Sequence, residues 1–423
     1  MKKLNQVVAL VSDRGLFCEV AIRLAKDFRK VYYFVDNDAD PFPLANASVI
    51  GLGMENIEVV DSFFGPHFEE CDLCVFPDVG QGQLQLHCQS LGKAVWGCRM
   101  GSEMELDRPY SKELLKEVGL PVGEHHLIRG VKNLRNFLRT HEDVYVKVSR
   151  FRGSTESFHS PSYKKIEPHL DEMEFKLGPL KDIMVFDVEQ SLPDKVEVGS
   201  DTYSVDGQTP NRYLCGIELK DAAYGGVILS NEDLPKPLMA VDEKMSPLLE
   251  QFGYRGFYST ECRIGRDQVP YMIDFCARCG NPPGFLQTYL LKNYSEIVWK
   301  GANGECVEPK FDHKYGVQLQ IKSSWSDQEH WQPISFDPKF RDQIKIVNPC
   351  KINGQFYSVP LRFGIAECGS VVGTGNSLKE AIASAKAAAD TLEGYMLKVD
   401  DNVLDEALKA CEEAKQMGID LRI

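Results

Sequence analysis

The sequence has no long apolar run and no excess of positive charge. No stretch approaches the roughly 18 apolar residues of a membrane-spanning helix, so we expect no membrane partner. Its 48 basic residues are outnumbered by 62 acidic ones, which gives a net charge of -14. That charge repels the phosphate backbone of nucleic acids, so broad nucleic-acid binding is not expected, whereas a local basic pocket for a small anion is compatible with it.

Signals for export and for a dinucleotide site are also missing. The apolar run at residues 7–11 is shorter than the core of a signal peptide, about 7 to 15 residues. Without such a signal, the 13 cysteines are typical of free thiols in a reducing compartment, and we expect a cytoplasmic protein. The sequence SDRG at residues 12–15 does not provide the Gly-x-Gly-x-x-Gly pattern of a dinucleotide site.

Two Cys-x-x-Cys pairs are present, Cys71/Cys74 and Cys276/Cys279. Together they would offer four zinc ligands. The first pair lies at the start of an apolar strand pattern, where cysteine often serves as a small buried side chain. The second pair belongs to a segment with another interpretation, given below. We therefore do not expect a joint zinc site.

The length and the hydrophobic pattern of the chain predict several domains. At about 100 to 200 residues each, 423 residues make two to four folded units. Residues 1–105 alternate strand and helix patterns, which is typical of a parallel sheet covered by helices, a Rossmann-like layer. Strand-like runs at 144–149 and 183–189 predict a small, mostly antiparallel lid. The last segment has a strand pattern at 362–367 and an Ala-rich helix pattern at 377–395.

Two acids lie on the two strands of a hairpin predicted for residues 256–275. They are Glu261 and Asp274, and Arg278 follows four residues after the second acid. Neighbouring strands can direct both carboxylates to one point, and Mg²⁺ on a nucleotide triphosphate needs hard oxygen ligands. The arginine would face the same phosphates. Such a pair is also found on solvated strand surfaces, so the pattern alone leaves both interpretations open.

Two further segments offer groups for a nucleotide. Lys147 lies in an apolar strand pattern, and a basic turn with Gly153 and Ser154 follows it. A buried lysine is costly unless it meets an anion, and the turn could close over phosphates. The alternative is an edge strand whose lysine extends to water. Residues 185–192 could offer backbone groups to an adenine edge, and Glu197 could bind ribose hydroxyls.

The order of these segments resembles the ATP-grasp superfamily: strand lysine, flexible loop, hinge acid, ribose acid, metal acids and arginine. Within it, the chain most resembles the glycinamide ribonucleotide synthetase (phosphoribosylamine–glycine ligase) family as a divergent member. The sequences PDVGQGQL at 77–84, WGC at 96–98 and SKELL at 111–115 are similar to that family's first domain and linker helix. LRFGI at 361–365 and SLKEA at 377–381 are similar to its C-terminal domain.

The resemblance implies an α/β and α+β multidomain chain with the ATP-grasp fold. We expect an N-terminal Rossmann-like (pre-ATP-grasp) domain at 1–105, an ATP-grasp domain at 106–305 with its lid at about 123–190, and a small C-terminal α+β domain at 306–423. The implied cofactors are ATP and Mg²⁺ or Mn²⁺. The implied site residues are Arg278 and Lys147 for catalysis; Lys147, Arg152, Gly153, Ser154, Glu189, Gln190, Leu192 and Glu197 for ATP; and Glu261, Asp274 and, as a weak ligand, Cys276 for the metal ion.

The chain departs from the family at several of these segments. Cys276 stands where the family has asparagine, and a thiol serves magnesium poorly. The lid loop keeps Gly153 alone where relatives have several glycines. GNPP at 280–283 replaces the family's Gly-Asp-Pro-Glu, and DRGLFCE at 13–19 replaces its Gly-rich Arg-Glu-His-Ala opening. Those two segments handle phosphoribosylamine in the family, so the departures put the usual amine substrate in question.

The resemblance implies a reaction in which a carboxylate takes the γ-phosphoryl group of ATP and an amine then displaces phosphate to leave an amide. We expect an ADP-forming carbon–nitrogen ligase that joins glycine or a similar small amino acid to a divergent amine, acting as a monomer or homodimer. A true phosphoribosylamine–glycine ligase is the alternative within the enzyme class. The alternative from another class is a non-catalytic nucleotide-binding protein.

Overall fold

The computed structural model describes residues 1–36, 45–148, 157–219, 222–361, 366–399 and 403–422. The α-helices in these ranges are α1 (Cys18–Ala25), α2 (Pro66–Glu70), α3 (Gly82–Ser90), α4 (Glu103–Leu106), α5 (Arg108–Glu117), α6 (Val131–Leu138), α7 (Tyr163–Leu177), α8 (Lys236–Gln251), α9 (Gly284–Leu290), α10 (Tyr294–Ala302), α11 (Leu378–Ala389) and α12 (Val403–Gln416).

The strands in the same ranges form four sheets. They are β1 (Val8–Asp13), β2 (Lys30–Val35), β3 (Ile57–Val59), β4 (Leu73–Val75), β5 (Ala94–Trp96), β6 (His125–Arg129), β7 (Val144–Val148), β8 (Ser157–Ser160), β9 (Val185–Gln190), β10 (Val196–Val205), β11 (Arg212–Leu219), β12 (Ala223–Ser230), β13 (Arg255–Ile264), β14 (Pro270–Cys276), β15 (Tyr315–Ser323), β16 (Gln332–Ile334), β17 (Ile344–Ile346), β18 (Pro349–Ile352), β19 (Gln355–Ser358), β20 (Glu367–Gly375) and β21 (Leu397–Val399).

The N-terminal sheet is parallel and has the strand order β3-β2-β1-β4-β5. Every residue of β1 is buried, as expected for a parallel strand with helices on both faces. On one face, α1 packs with α9 and α10 through Ala21, Phe285 and Ile297. On the other face, α2 and α3 contribute Phe68 and Cys88. The predicted Rossmann-like layer is confirmed.

The lid sheet has the antiparallel order β6-β9-β7-β8. Helices α6 and α7 cover one of its faces, where Leu134, Val146 and Leu170 belong to a common apolar core. Because strand side chains alternate between faces, the neighbouring Lys147 and its cross-strand partner Asp187 lie on the uncovered face. The predicted antiparallel sheet is therefore present, and its lysine strand is an inner strand, whereas its role as a lid stays a prediction.

The large sheet is antiparallel and has nine strands, in the order β14-β13-β10-β11-β12-β15-β20-β17, with β21 also paired to β15. Helix α8 packs on β10 and β14, with Val241 and Met245 in the shared apolar core, and α11 packs on β15 and β20 through Ala381 and Ala385. Strands on both sides of the predicted boundary at 305/306 thus share one sheet. The division into domains stays a prediction.

The Ala-rich helix α11 is shorter than predicted. The Ala-rich pattern predicted a helix over 377–395, but α11 ends at Ala389. Beyond it, Glu393 exchanges two backbone hydrogen bonds with Ser335, of 2.8 and 2.9 Å, and this pairing is incompatible with a continued helix. Residues 362–365 of the predicted strand lie outside the described residues. None of the described helices is both long and apolar enough to cross a membrane.

Candidate active site

The two predicted metal acids face each other on the acid hairpin formed by β13 and β14. Glu261 is the direct cross-strand partner of Asp274. Directly opposed residues in an antiparallel pair project from the same face of the sheet. The pairing register shifts immediately after Glu261, and such bulges often change the direction of a side chain next to a site. The hairpin therefore presents two carboxylates together, as predicted.

Further acids share this face of the large sheet. Gly199 of β10 lies opposite both Glu261 and Gly216 of β11, so Glu197 and Glu218, each two residues away, project from the same side. Burial, with the charges of Asp274 and Glu197, raises the pKa of Glu261 to about 8. Burial and the charge of Glu261 also raise the pKa of Glu218 well above its usual value. A divalent cation would relieve this repulsion.

The donor set fits magnesium bound together with a nucleotide. Magnesium usually takes one or two carboxylates and completes its shell with water and substrate phosphates. In the part of the chain that the structure describes, no three His, Cys, Asp or Glu side chains form a complete metal cage. Glu261 and Asp274 would hold the ion, and phosphate oxygens would supply further ligands.

Arg108, at the start of α5, binds Asp274, the second of the two predicted metal acids. Its Nη1 donates to both oxygens of Asp274 at 3.0 Å. Burial disfavours the charged carboxylate, but Arg108 and Lys147 hold the pKa of Asp274 well below its usual range. This arginine was not among the site residues predicted from the sequence. A positive charge in the first turn of a helix is unfavourable, because it lies at the positive end of the helix dipole. An arginine at this position therefore indicates an anionic partner, and this was the signal that the sequence offered.

Lys147 faces the acid hairpin from the lid sheet. Its Nζ donates a 2.7 Å hydrogen bond to the carbonyl oxygen of Ile273 and lies 3.1 Å from Oε1 of Glu189. Burial opposes the charge, but Glu189 and Asp274 raise the pKa of Lys147. The side chain is 9% exposed and its strand pairs on both sides, so the alternative of an edge-strand lysine extending to water is wrong.

Arg278 connects the acid hairpin to the N-terminal sheet. Its Nε donates to Oε1 of Glu105 at 2.8 Å, while the N–H of Ala277 donates to the other oxygen of that carboxylate at 2.8 Å. Nε also lies 3.9 Å from Asp78, which follows β4. Burial disfavours the charged guanidinium, but the negative charges of Glu105 and other acidic groups outweigh burial and raise the pKa of Arg278 above its usual value. The sequence analysis did not identify Glu105.

Solved structures resemble the chain over nearly its whole length. Phosphoribosylamine–glycine ligase from Thermotoga maritima has a TM-score of 0.68 at 13% identity, covering 93% of this chain and 98% of that one. The biotin carboxylase domain of the Hydrogenobacter thermophilus 2-oxoglutarate carboxylase, in complex with MgADP, ADP and bicarbonate, has a TM-score of 0.66 at 12% identity, covering 97% and 98%. The chain has the ATP-grasp fold.

Other comparisons agree on the fold or find no match. N5-carboxyaminoimidazole synthetase from Staphylococcus aureus, complexed with ADP, has a TM-score of 0.59 at 13% identity, covering 92% of this chain and 99% of that one. No protein family matches the sequence, and no curated protein matches it. The ATP-grasp fold predicted from the sequence is confirmed.

The predicted adenine segment is already hydrogen-bonded within the lid. The N–H of Gln190 donates to Glu124 at 2.9 Å, and the N–H of Ser191 donates to Asp143 at 3.1 Å. The side chain of Gln190 also donates to the carbonyl of Asp143, at 3.3 Å. Leu192 follows and is half-buried. Two of the backbone N–H groups expected to face adenine thus donate to carbonyl groups within the lid sheet region. Contact of this segment with adenine stays a prediction.

Glu189, also predicted to contact adenine, forms ion pairs with two lysines. Its Oε1 lies 2.7 Å from Nζ of Lys112 and 3.1 Å from Nζ of Lys147. Burial raises its pKa, but the two ammonium charges outweigh burial and leave the pKa lowered. Lys112 also lies 3.5 Å from Asp187. Lys112 belongs to the SKELL segment of the linker helix, where no sequence pattern assigned it to the site.

The remaining predicted site residues are Glu197, Cys276 and three residues of the loop after Lys147. Glu197, predicted for the ribose, forms an ion pair with Arg263 at 2.8 Å. The thiol of Cys276 lies 3.9 Å from Oε1 of Glu261. Burial raises the pKa of Cys276 well above its usual value, so the thiol is protonated and would be a poor metal ligand. Arg152, Gly153 and Ser154 lie outside the described residues.

Proposed function

We propose that the protein is an ADP-forming carboxylate–amine ligase that uses ATP and Mg²⁺ or Mn²⁺. The observation that carries the proposal is the position of Lys147, whose ammonium group reaches the acid hairpin one residue from Asp274. A cation from the lid sheet and two opposed carboxylates from the large sheet form the two sides of a site for a metal-bound triphosphate. Two of the similar structures contain ADP, and one of these contains MgADP.

The proposed reaction is the one that the resemblance to ATP-grasp ligases implies. A substrate carboxylate oxygen attacks the γ-phosphorus, ADP leaves, and an acyl phosphate forms. The amine nitrogen then bonds to the acyl carbon, the bond to phosphate breaks, and the amine loses its proton. Lys147, Arg108 and Arg278 would offset the charge on the transferred group, and the metal ion would neutralise the phosphates. No protein nucleophile is required.

We infer the position of the acceptor amine from the contacts of Arg278. It joins the acid hairpin to Asp78, at the carboxyl end of β4. Ligands of parallel α/β sheets bind at the carboxyl ends of the strands. We therefore place the acyl group beside Arg278 and the amine between Arg278 and the N-terminal sheet. Glycine or a similar small amino acid is our proposed acid.

The surroundings of Asp13 favour a divergent amine over phosphoribosylamine. Backbone N–H groups before a helix are common phosphate ligands. Here the N–H groups of Gly15 and Phe17 donate to the Asp13 carboxylate at 3.1 and 2.5 Å, and the hydroxyl of Tyr33 donates at 2.6 Å. The protein's own anion thus occupies these donors before α1. Phosphoribosylamine stays the alternative substrate.

Cys276 supports a second candidate, a nucleotide-binding protein without turnover. A protonated thiol next to Glu261 would weaken the binding of a second metal ion. The decisive assay measures ADP release with ATP, magnesium, and panels of small amino acids and amines, including phosphoribosylamine. ADP release that requires both an acid and an amine supports the ligase. Nucleotide binding without ADP release across the panel supports the binding protein.

Matched variants connect this assay to the site. We expect Glu261→Gln and Asp274→Asn to abolish magnesium-dependent ADP release, whereas Glu55→Gln, at an exposed position of the N-terminal region, retains it. Retained release in both hairpin variants contradicts the proposal. The chain would act as a monomer or homodimer. All 13 cysteines are free thiols, consistent with our proposed location in the cytoplasm.

A further inference from the structure

Two cysteines of the N-terminal sheet lie in contact, away from the candidate active site. The Sγ atoms of Cys71 and Cys74 are 3.8 Å apart. Cys71 follows helix α2, and Cys74 is the central residue of β4. This is the amino end of the parallel strands, whereas Asp78 and Arg278 lie towards the carboxyl end. The proposed ligase chemistry does not use either thiol.

We propose that Cys71 and Cys74 form an oxidisable dithiol that closes to an intramolecular disulfide. A disulfide requires sulfurs about 2.05 Å apart, so the two Sγ atoms must approach each other by roughly 2 Å. The proposal requires side-chain rotation and small backbone shifts to supply a movement of that size. The Cys-x-x-Cys spacing is the one in which one thiol commonly assists ionisation of the other.

Cys71 is the thiol placed to react first. The pKa of Cys71 is lowered, mainly by a hydrogen bond with Cys74. Burial acts in the opposite direction, and the positive charge of Lys93 lowers the pKa further. The ammonium group of Lys93 donates to the carbonyl oxygens of Cys71 and Glu69, at 2.9 and 3.1 Å, which holds it beside the thiol. The thiolate is the nucleophile in thiol–disulfide exchange.

An open cleft gives a reagent access to this position. Glu70, Cys71, Lys93 and Trp299 are among its lining residues. Cys74 does not line the cleft and is fully buried, as is the neighbouring Cys88. This asymmetry assigns the roles: Cys71 meets the oxidant, and Cys74 resolves the mixed disulfide from inside the sheet. Because Cys71 itself is 3% exposed, we expect a slow reaction.

The exchange balances with a small disulfide, such as oxidised glutathione, as oxidant. The Cys71 thiolate attacks one sulfur of the oxidant, which forms a mixed disulfide and releases one thiolate. Cys74 loses its proton and attacks the sulfur of Cys71, which releases the second thiolate. Both thiolates take up protons. The protein loses two electrons and two protons, and the small disulfide becomes two thiols.

The second Cys-x-x-Cys pair serves as an internal control. The thiol of Cys276 is directed to Glu261, at 3.9 Å from Oε1. Burial raises the pKa of Cys279 to about 12, so that its thiol stays protonated. The two pairs thus have the same spacing in the sequence but different surroundings in the structure. Only the first pair is expected to oxidise in the folded protein.

The test incubates the folded chain with oxidised glutathione, blocks free thiols by alkylation and maps peptides by mass spectrometry. We expect a Cys71–Cys74 disulfide, a loss of two of the 13 free thiols, and an unmodified Cys276/Cys279 pair. Cys74→Ala should stop at a mixed disulfide on Cys71. If that variant does not fold, the wild-type peptide map decides alone. The proposal is overturned if Cys71 and Cys74 stay reduced until the chain is unfolded, or if the purified protein carries zinc on them.

Discussion

The ammonium group of Lys147 donates a 2.7 Å hydrogen bond to the carbonyl oxygen of Ile273. Lys147 belongs to the lid sheet, and Ile273 precedes Asp274 in the acid hairpin of the large sheet. The bond therefore connects the two surfaces between which we place the triphosphate. We expect it to be replaced by phosphate contacts when nucleotide binds, because a phosphate oxygen is a stronger acceptor for an ammonium group than a neutral carbonyl.

Replacing the lid lysine tests this arrangement. We expect Lys147→Met to lower ADP release by about 100- to 1000-fold, the size typical of losing one positioned electrostatic contact to a transition state. It should also weaken nucleotide binding, measured by titration calorimetry. Lys132→Met, at an exposed position on α6, is the matched control and should behave as wild type. Wild-type turnover in Lys147→Met contradicts the assignment.

Removing the arginine that binds Asp274 should destabilise the protein. We expect Arg108→Met to lower the free energy of unfolding by about 3 kcal/mol, because it removes the two hydrogen bonds that Arg108 donates to a half-buried carboxylate. Urea unfolding without nucleotide measures the change. Arg266→Met, at an exposed position next to the hairpin turn, should change it by less than about 0.5 kcal/mol. Equal stabilities of the two variants would contradict a structural role for Arg108.

The sequence predicted the elements that repeat or alternate, and it missed contacts between distant segments. The acid hairpin, its two opposed acids and the strand lysine follow from local patterns, because strand periodicity alone decides which side chains share a face. Arg108 and Glu105 reach the site from a helical region more than 160 residues before Asp274 and Arg278. No local pattern determines that approach.

The segment predicted to bind adenine was also less predictable, because its hydrogen bonds depend on contacts with other parts of the chain. The predicted adenine donors of Gln190 and Ser191 bind carbonyls of Glu124 and Asp143, which the register of the lid sheet brings beside them. Register depends on the tertiary packing of β6, β7 and β9. A strand-end pattern can therefore indicate a site for a nucleotide without showing which backbone groups are available.

Stability should depend on pH through Asp242, a buried acid of α8 outside the site. Burial raises its pKa to about 8, although Tyr258 opposes the shift. Between the ordinary aspartate pKa and about 8, the folded state keeps a proton that the unfolded state has lost. Its contribution to the free energy of unfolding therefore falls as pH rises through this range, by up to about 1.4 kcal/mol per pH unit.

Asp242→Asn should remove this dependence. We expect the variant to gain stability relative to wild type between pH 5 and pH 8, by a few kcal/mol, measured by urea unfolding at both pH values. Glu250→Gln, at an exposed position of the same helix, should keep the wild-type slope. A slope that Asp242→Asn leaves unchanged would assign the pH dependence to other groups.

The thiol beside Glu261 gives a test in which a single substitution should improve the site. Cys276→Asn replaces a protonated sulfur, 3.9 Å from the carboxylate, with an amide oxygen, which is a hard ligand that magnesium accepts. We expect magnesium affinity in the presence of ATP to rise by on the order of tenfold. Cys306→Asn, at a half-buried position outside the acid hairpin, controls for the loss of a thiol. Calorimetric titration with magnesium measures both variants. An unchanged affinity in Cys276→Asn would remove residue 276 from the metal site and leave Glu261 and Asp274 as the only hairpin ligands of the ion.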